Sequence, residues 1–203
     1  MTTRIARLIV AVAALTLLAG CSGQGDAAGD RAGREEPEAP LITGEPAGYN
    51  EADIAFATDL VPHHAQGIEL ATMALERSGN AELVALAEQV VATQQPEINI
   101  LNVLLVQWNE NPEIRSGPGG PAGGAAPGLV DDATVARLGS LSGPEFDKLW
   151  LQTMIGQHRG AIEIANAEIA DGANVDAIAI ARTIGAGQQA QIEKMTQILE
   201  GMP

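Results

Sequence analysis

The sequence predicts an all-α protein, a four-helix bundle built from two duplicated helical hairpins. Three observations carry this reading. Apolar residues recur every three or four positions along four long segments, and no strand-like alternation appears. The segment from Asp53 to Leu105 recurs without a gap from Asp147 to Leu199, at a constant offset of 94 residues. A Gly/Pro-rich stretch, 111–128, lies between the copies. Identities across the offset include Asp53/Asp147, His64/His158, Glu69/Glu163, Asn80/Asn174, Gln94/Gln188, Gln95/Gln189 and Ile98/Ile192. Ala-rich helices match by chance. An ungapped register joining a histidine, an asparagine and two glutamines instead reads as a duplicated hairpin with approximate twofold symmetry.

Taken in order, the chain begins with a targeting segment. Arg4 and Arg7 precede an apolar run from Leu8 to Leu18 that is too short to span a bilayer as a stable helix. Leu18-Ala19-Gly20-Cys21 follows, and it resembles the lipobox of bacterial lipoproteins. Residues 1–20 therefore read as a lipoprotein signal peptide, with Cys21 as the lipidation site. Cys21 is the only cysteine, which excludes a disulfide within the chain. Two or three acyl chains give stable anchoring where one is marginal. The expected location is extracytoplasmic, lipid-anchored to the cell membrane. Residues 21–48 are rich in Gly, Ala, Pro, Asp and Glu without an apolar period, and read as a disordered tether.

The bundle domain is expected over 49–203. Its first helix runs from about 51 to 77, with Ile54, Ala57, Val61, Ile68, Ala71 and Leu75 on its stripe. Pro62 interrupts this pattern. It either kinks one helix, freeing the carbonyl of Thr58, or starts a new helix after a break. Ser78-Gly79-Asn80 turns the chain into a second helix, 81–108, with Leu83, Leu86, Ala87, Val90, Ile98, Leu101 and Leu105 on one face. Asp131 caps a short helix to Leu138. Ser142-Gly143-Pro144 then supplies a cap and an N-terminal proline for a helix reaching about 170. Asn174 caps the last helix, which runs to about 199.

Helix geometry of about 100° per residue places His64 in an apolar stripe with Leu60, Val61, Ile68, Ala71 and Leu75. His158 sits likewise among Leu151, Met154, Ile155, Ile162, Ala165 and Ile169. Gln94 and Gln188 take the corresponding places on the second and fourth helices. Polar groups buried in such stripes need partners. They either form a hydrogen-bonded layer fixing helix register, or the imidazoles ligate a metal while the glutamines orient their second nitrogens. His63, about 100° from His64, is expected on another side beside Asp59, as a surface pair or an oriented ligand at the bundle edge. Glu69 and Glu163 point to solvent, and Asp53 and Asp147 read as capping residues. Met154 and Met195 lie on core stripes, where a thioether packs or offers a soft ligand.

The residues Asp53, Leu60-Val61-Pro62-His63-His64, Gly67-Ile68-Glu69-Leu70-Ala71 and Gln94-Gln95-Pro96-Glu97-Ile98 carry a family resemblance. The second copy carries it through Phe146-Asp147, Met154-Ile155, His158, Gly160-Ala161-Ile162-Glu163-Ile164-Ala165, Gln188-Gln189 and Ile192. Over about 49–200 the chain resembles the bacterial domain-of-unknown-function family number three hundred and five. These are ferritin-like extracytoplasmic bundles, and the copper-binding CopM proteins belong among them. The resemblance implies a ferritin-like bundle and a copper ion bound by His64 and His158, helped by His63 or Met154. Gln157 stands where the family often has a further histidine, and Leu70 and Ile164 replace frequent methionines.

Composition narrows the function. A net charge of −15 and a pI of about 4.4 exclude nucleic acid as a natural partner. Aromatic residues at 2% leave no stacking platform. A di-iron oxidase needs paired Glu-x-x-His motifs, and the chain has none. The leading expectation is a tethered copper-binding lipoprotein, with His64, His158, His63 and Met154 as metal ligands and Gln94, Gln188 and Asp59 behind them. The alternative is a non-catalytic structural or protein-interaction module of the envelope, with the His/Gln layer setting register.

Overall fold

A computed structural model describes residues 48–110 and 126–202. The expected signal peptide, Cys21, the tether and most of the Gly/Pro-rich loop lie outside the described residues. The described residues are all-helical: α1 (Glu51–Arg77), α2 (Ala81–Gln107), α3 (Asp132–Gly139), α4 (Gly143–Asp171) and α5 (Val175–Glu200). Four long helices form the bundle, and α3 is a short addition before the second hairpin. No described helix is long and apolar enough to cross a membrane.

The ends of the helices are written locally. Asn50 opens α1 with a capping box, its Oδ1 accepting from Ala52 N at 2.8 Å while Asp53 Oδ2 accepts from Asn50 N at 2.6 Å. Asn80 and Asn174, equivalent across the duplication, cap α2 and α5 in the same way, accepting from the second and third residues of each helix. Asp131 caps α3 through Thr134 N at 2.9 Å. Ser142 makes no side-chain cap, contrary to the sequence pattern; Gly143, at φ +62°, and Pro144 start α4 instead. Pro62 does not break the chain into two helices: α1 runs continuously through it, and α2 runs likewise through Pro96.

Within each hairpin the helices pack closely, and the hairpins join mainly through α1 against α4. These two run antiparallel, since Asn50 Nδ2 donates to the carbonyl of Asp171 at 2.8 Å. The core falls into two apolar clusters. One gathers Leu70, Leu83, Leu86, Phe146, Trp150, Leu151, Met154 and Met195. The other gathers Ile54, Phe56, Leu60, Leu101, Leu105, Trp108, Ile164 and Ile184. Between them lies a buried polar layer of His63, His64, Gln94, Gln157, His158, Gln188 and Gln191.

Candidate metal centre

The interior arc of α1 is rotated from the expected stripe. Leu60, His63, His64, Gly67, Leu70, Ala71 and Ala74 are buried, while Val61 and Ile68 are half-buried and Leu75 is exposed. Gly and Ala carry little hydropathy, so the bulky residues drew the expected stripe toward themselves. Gly67 marks where side chains of α2 and α4 approach. A Cβ on Gly67 would collide with Gln94 Oε1 and lie 2.9 Å from Gln157 Nε2. This rotation corrects the placing of His63. It is fully buried between α1 and α4, not paired with Asp59 at the surface. A helix with neighbours on two sides buries an arc wide enough for residues about 100° apart.

Each hairpin pairs its core histidine with the same position of the next helix. His64 Nε2 stands 2.9 Å from Glu97 Oε2, at an angle unsuited to a hydrogen bond. His158 Nε2 stands 2.8 Å from Gln191 Oε1. Glu97 and Gln191 are equivalent across the duplication, and the sequence reading passed over both. Gln94 and Gln188, the expected orienting residues, are buried but bond neither imidazole; both side-chain polar atoms of Gln94 and the oxygen of Gln188 lack a hydrogen-bond partner. The signal was present in the register: a partner for His64 must recur beside His158, and position 97/191 keeps hydrogen-bonding character in both copies.

The duplication axis passes between His63 and Gln157, which are themselves equivalent. Gln157 Nε2 donates to the His63 carbonyl at 2.9 Å, and that acceptor fixes the amide's orientation. The same nitrogen lies 3.1 Å from His63 Nδ1, so Nδ1 holds a lone pair and the ring proton sits on Nε2. The other end of the amide, Oε1, accepts from His158 Nδ1 at 3.0 Å. Neutral His158 then carries its free lone pair on Nε2. A neutral ring cannot donate from both nitrogens, so in this state the Gln191 amide turns its N–H toward it.

Electrostatics keep these rings neutral. Burial lowers His63 to about 4, and the nearby His64 and His158 add to this; backbone groups of Pro127 and Gln157 oppose it. Burial likewise lowers His158 to about 4, opposed by the Gln191 side chain and reinforced by His64. His63 and His158 thus both sense the charge of a neighbouring imidazole. Neutral imidazole is the form that ligates metals.

The chain returning to α3 covers the layer. Gln66 grips the backbone of Val130, donating to its carbonyl and accepting from its N–H, each at 2.8 Å. Gly160 is equivalent to Gln66. Any Cβ there would strike the carbonyl of Pro127, and Gly128, at φ +79°, packs against it.

The remaining expected ligands lie further off. Met154 is fully buried in the first apolar cluster, one turn from His158. Asp59 is half-buried, its carboxyl raised by desolvation, beside a cavity shared with Pro127, Glu163 and Glu168. Among the described residues no three His, Cys, Asp or Glu side chains converge as a ready metal cage. The donors in place are His64 with Glu97, and His158.

Residues 53–199 match the family model described as Domain of unknown function (DUF305). No curated protein matches the chain. A DUF305 protein from Streptomyces coelicolor is 26% identical with a TM-score of 0.67, over 73% of this chain and 91% of that one. A DUF305 fragment from Deinococcus radiodurans is 26% identical with a TM-score of 0.67, over 77% and 99%. CopM in its Cu(II)-bound form is 24% identical with a TM-score of 0.63, over 73% and 95%, a likeness of fold.

Proposed function

Since this chain belongs to the DUF305 family, we propose that it is a membrane-tethered extracytoplasmic lipoprotein that captures a metal ion, most naturally copper. The observation that carries this is the buried layer itself. It holds three imidazoles, and neither ring nitrogen of His64 has a hydrogen-bond partner although the side chain is fully buried. Buried nitrogens without partners are costly unless they have another use. His64 and His158 are the primary ligands of this reading. Glu97 adds a carboxylate oxygen, and Met154 stands near as a thioether. A nitrogen and carboxylate set suits Cu(II), and recruitment of Met154 suits Cu(I). Among similar structures, CopM has Cu(II)-, Cu(I)- and Ag-bound forms. Closing the site requires side chains to rotate toward the ion, because the donors do not yet converge. Gln157 is the residue that orients two of the rings, a role given to Gln94 and Gln188 in the sequence reading. Cys21 supplies the anchor and residues 21–48 the tether.

The test is titration of the metal-free, full-length protein with Cu(I) and Cu(II) against competing chelators. The expected result is saturable binding tighter than about micromolar, a free energy beyond about 8 kcal/mol. Joint His64→Ala and His158→Ala replacement abolishes it. Binding weaker than this, or unchanged in the double variant, sinks the proposal. Mass spectrometry of the membrane fraction tests the anchor: Cys21→Ala should remove the acyl mass and release the protein.

One observation favours a second reading. The polar layer separates two apolar clusters, as a register-setting layer would. In that case the protein is a structural or interaction module of the envelope. His64→Gln then lowers stability and leaves metal content unchanged.

A further inference from the structure

The two ends of the bundle are equivalent by the duplication, yet one is filled and the other is hollow. At the filled end Tyr49 stacks on Trp108, ring centroids 5.3 Å apart and planes 18° apart, and Tyr49 Oη donates to the Trp108 carbonyl at 2.9 Å. Beside them Asp53 is saturated, accepting from the backbone N–H groups of Asn50, Asn174 and Ala173 at 2.6, 2.9 and 3.2 Å. Burial alone would raise this carboxyl, but these donors outweigh it and hold it below its ordinary range.

The opposite end lacks each of these parts. Gly143 stands where Tyr49 would recur, and Met202 where Trp108 would. Pro144 replaces Asn50 and has no N–H to offer. Asn80 N donates to Ser78 Oγ at 3.1 Å, so the equivalent of the Asn174 donor is turned away as well. What remains is a cavity of about 530 Å³ lined by Gly79, Pro144, Asp147, Ile198 and Met202, with Asn80 and Glu82 at its polar side. Small-molecule sites run from about 300 to 1,000 Å³. Asp147 lines this cavity at only 4% exposure, and its Oδ1 has no hydrogen-bond partner. A carboxylate that is saturated in one copy is thus an orphan acceptor in the other, facing the space that two aromatic rings fill in the first.

We propose that this end of the bundle is a binding site for a flat aromatic ring carrying N–H donors, an indole or arylalkylamine, which takes the place of the missing stack and donates to Asp147. The site is independent of the histidine layer, which lies at mid-bundle. The same chemistry is supplied by a free aromatic amine or by a tryptophan of another chain.

Calorimetric titration of the full-length protein with tryptamine, and separately with N-acetyl-tryptophanamide, tests this. Saturable one-to-one binding of tryptamine supports a free amine as the ligand, and binding of the amide alone supports a chain-borne ring. Asp147→Asn removes the carboxylate charge and should weaken binding about tenfold or more. Met202→Trp should block the cavity, abolishing binding without lowering Tm, and it serves even if the Asp147 variant is unstable. Absence of saturation with both probes, or affinity unchanged in both variants, overturns the proposal.

Discussion

The first hairpin sets His64 against Glu97, and the second sets His158 against Gln191. The frame is shared: equal helix lengths within a few residues, asparagine caps at Asn80 and Asn174, a buried histidine at the same depth. The contents differ wherever the copies meet. Gln66, which holds Val130, is replaced by Gly160, which packs on Pro127 and Gly128, and His63 faces Gln157. Glu168 is buried where the first copy has Ala74. Duplication gives two identical surfaces, and two identical surfaces place like beside like. Two histidines held in the same tautomer across the axis would set lone pair against lone pair or proton against proton. An amide opposite a histidine offers a donor and an acceptor at once. Divergence at the axis therefore resolves what symmetry would leave unpaired.

Copying the first hairpin onto the second where they are most unlike should have the largest effect. Gly160→Gln repeats Gln66, but its Cβ would strike the Pro127 carbonyl, which is backbone and cannot step aside. The expected loss is about 3 kcal/mol or more by urea denaturation, as for overpacking in a closed interior. A fall below about 1 kcal/mol would mean that the covering segment is not held there. Next comes Gln157→Ala, which deprives the His63 carbonyl, His63 Nδ1 and His158 Nδ1 of their common partner. About 2–3 kcal/mol should be lost, the cost of leaving buried polar groups unpaired.

Much of this frame was legible in the sequence and part of it was not, for a physical reason visible in α1. Helix spans, caps and the duplication follow from apolar spacing, turn residues and register, which are local. The burial of His63 depends on where α4 lies, and Gly67, where Gln157 of α4 comes close, carries too little hydropathy to mark a face. The pairing of His64 with Glu97 was missed because glutamate reads as solvent-facing on an ideal stripe. Its counterpart Gln191 was the better guide.

A subtler contrast lies in the pH dependence. His63 and His158 have folded pKa values of about 4 against an ordinary 6.5. Between those values the unfolded chain binds more protons, so these groups make stability rise with pH from about 4 to 6.5. Glu168 acts in the opposite sense. Burial first, then the neighbouring Asp53, raises it from 4.5 to about 8. The folded chain binds the extra proton there, so stability falls as pH climbs through that window. Asp59, also raised by burial, acts in the same sense as Glu168 just above its own ordinary range, on the acid side. The rise from the two histidines and the fall from Glu168 put the maximum near 6.5, with a decline toward 8. Glu168→Gln should remove the decline and leave the acid side in place. Chemical denaturation at a series of pH values reads both limbs, and a decline that persists in the variant would clear Glu168 of the role.

The smallest change in stability should come from making the two histidine partners alike. Glu97→Gln gives the first hairpin the amide of the second. The Glu97 side chain is 22% exposed and its approach to His64 is poorly aligned, so the ion-pair contribution is slight, within about 1 kcal/mol. Metal affinity responds differently. If His64 and His158 capture a divalent copper ion, the carboxylate is the anionic donor at the site, and an amide neither carries its charge nor matches its basicity. Cu(II) affinity should then fall about tenfold to a hundredfold while the denaturation midpoint barely moves. Cu(I), which favours imidazole and thioether, should be affected less. The converse exchange, Gln191→Glu, should strengthen Cu(II) binding by supplying the same donor beside His158. Equal loss for both oxidation states would point to Glu97 as a positioning group for His64, and no loss for either would leave the Glu97–His64 contact a feature of the fold alone.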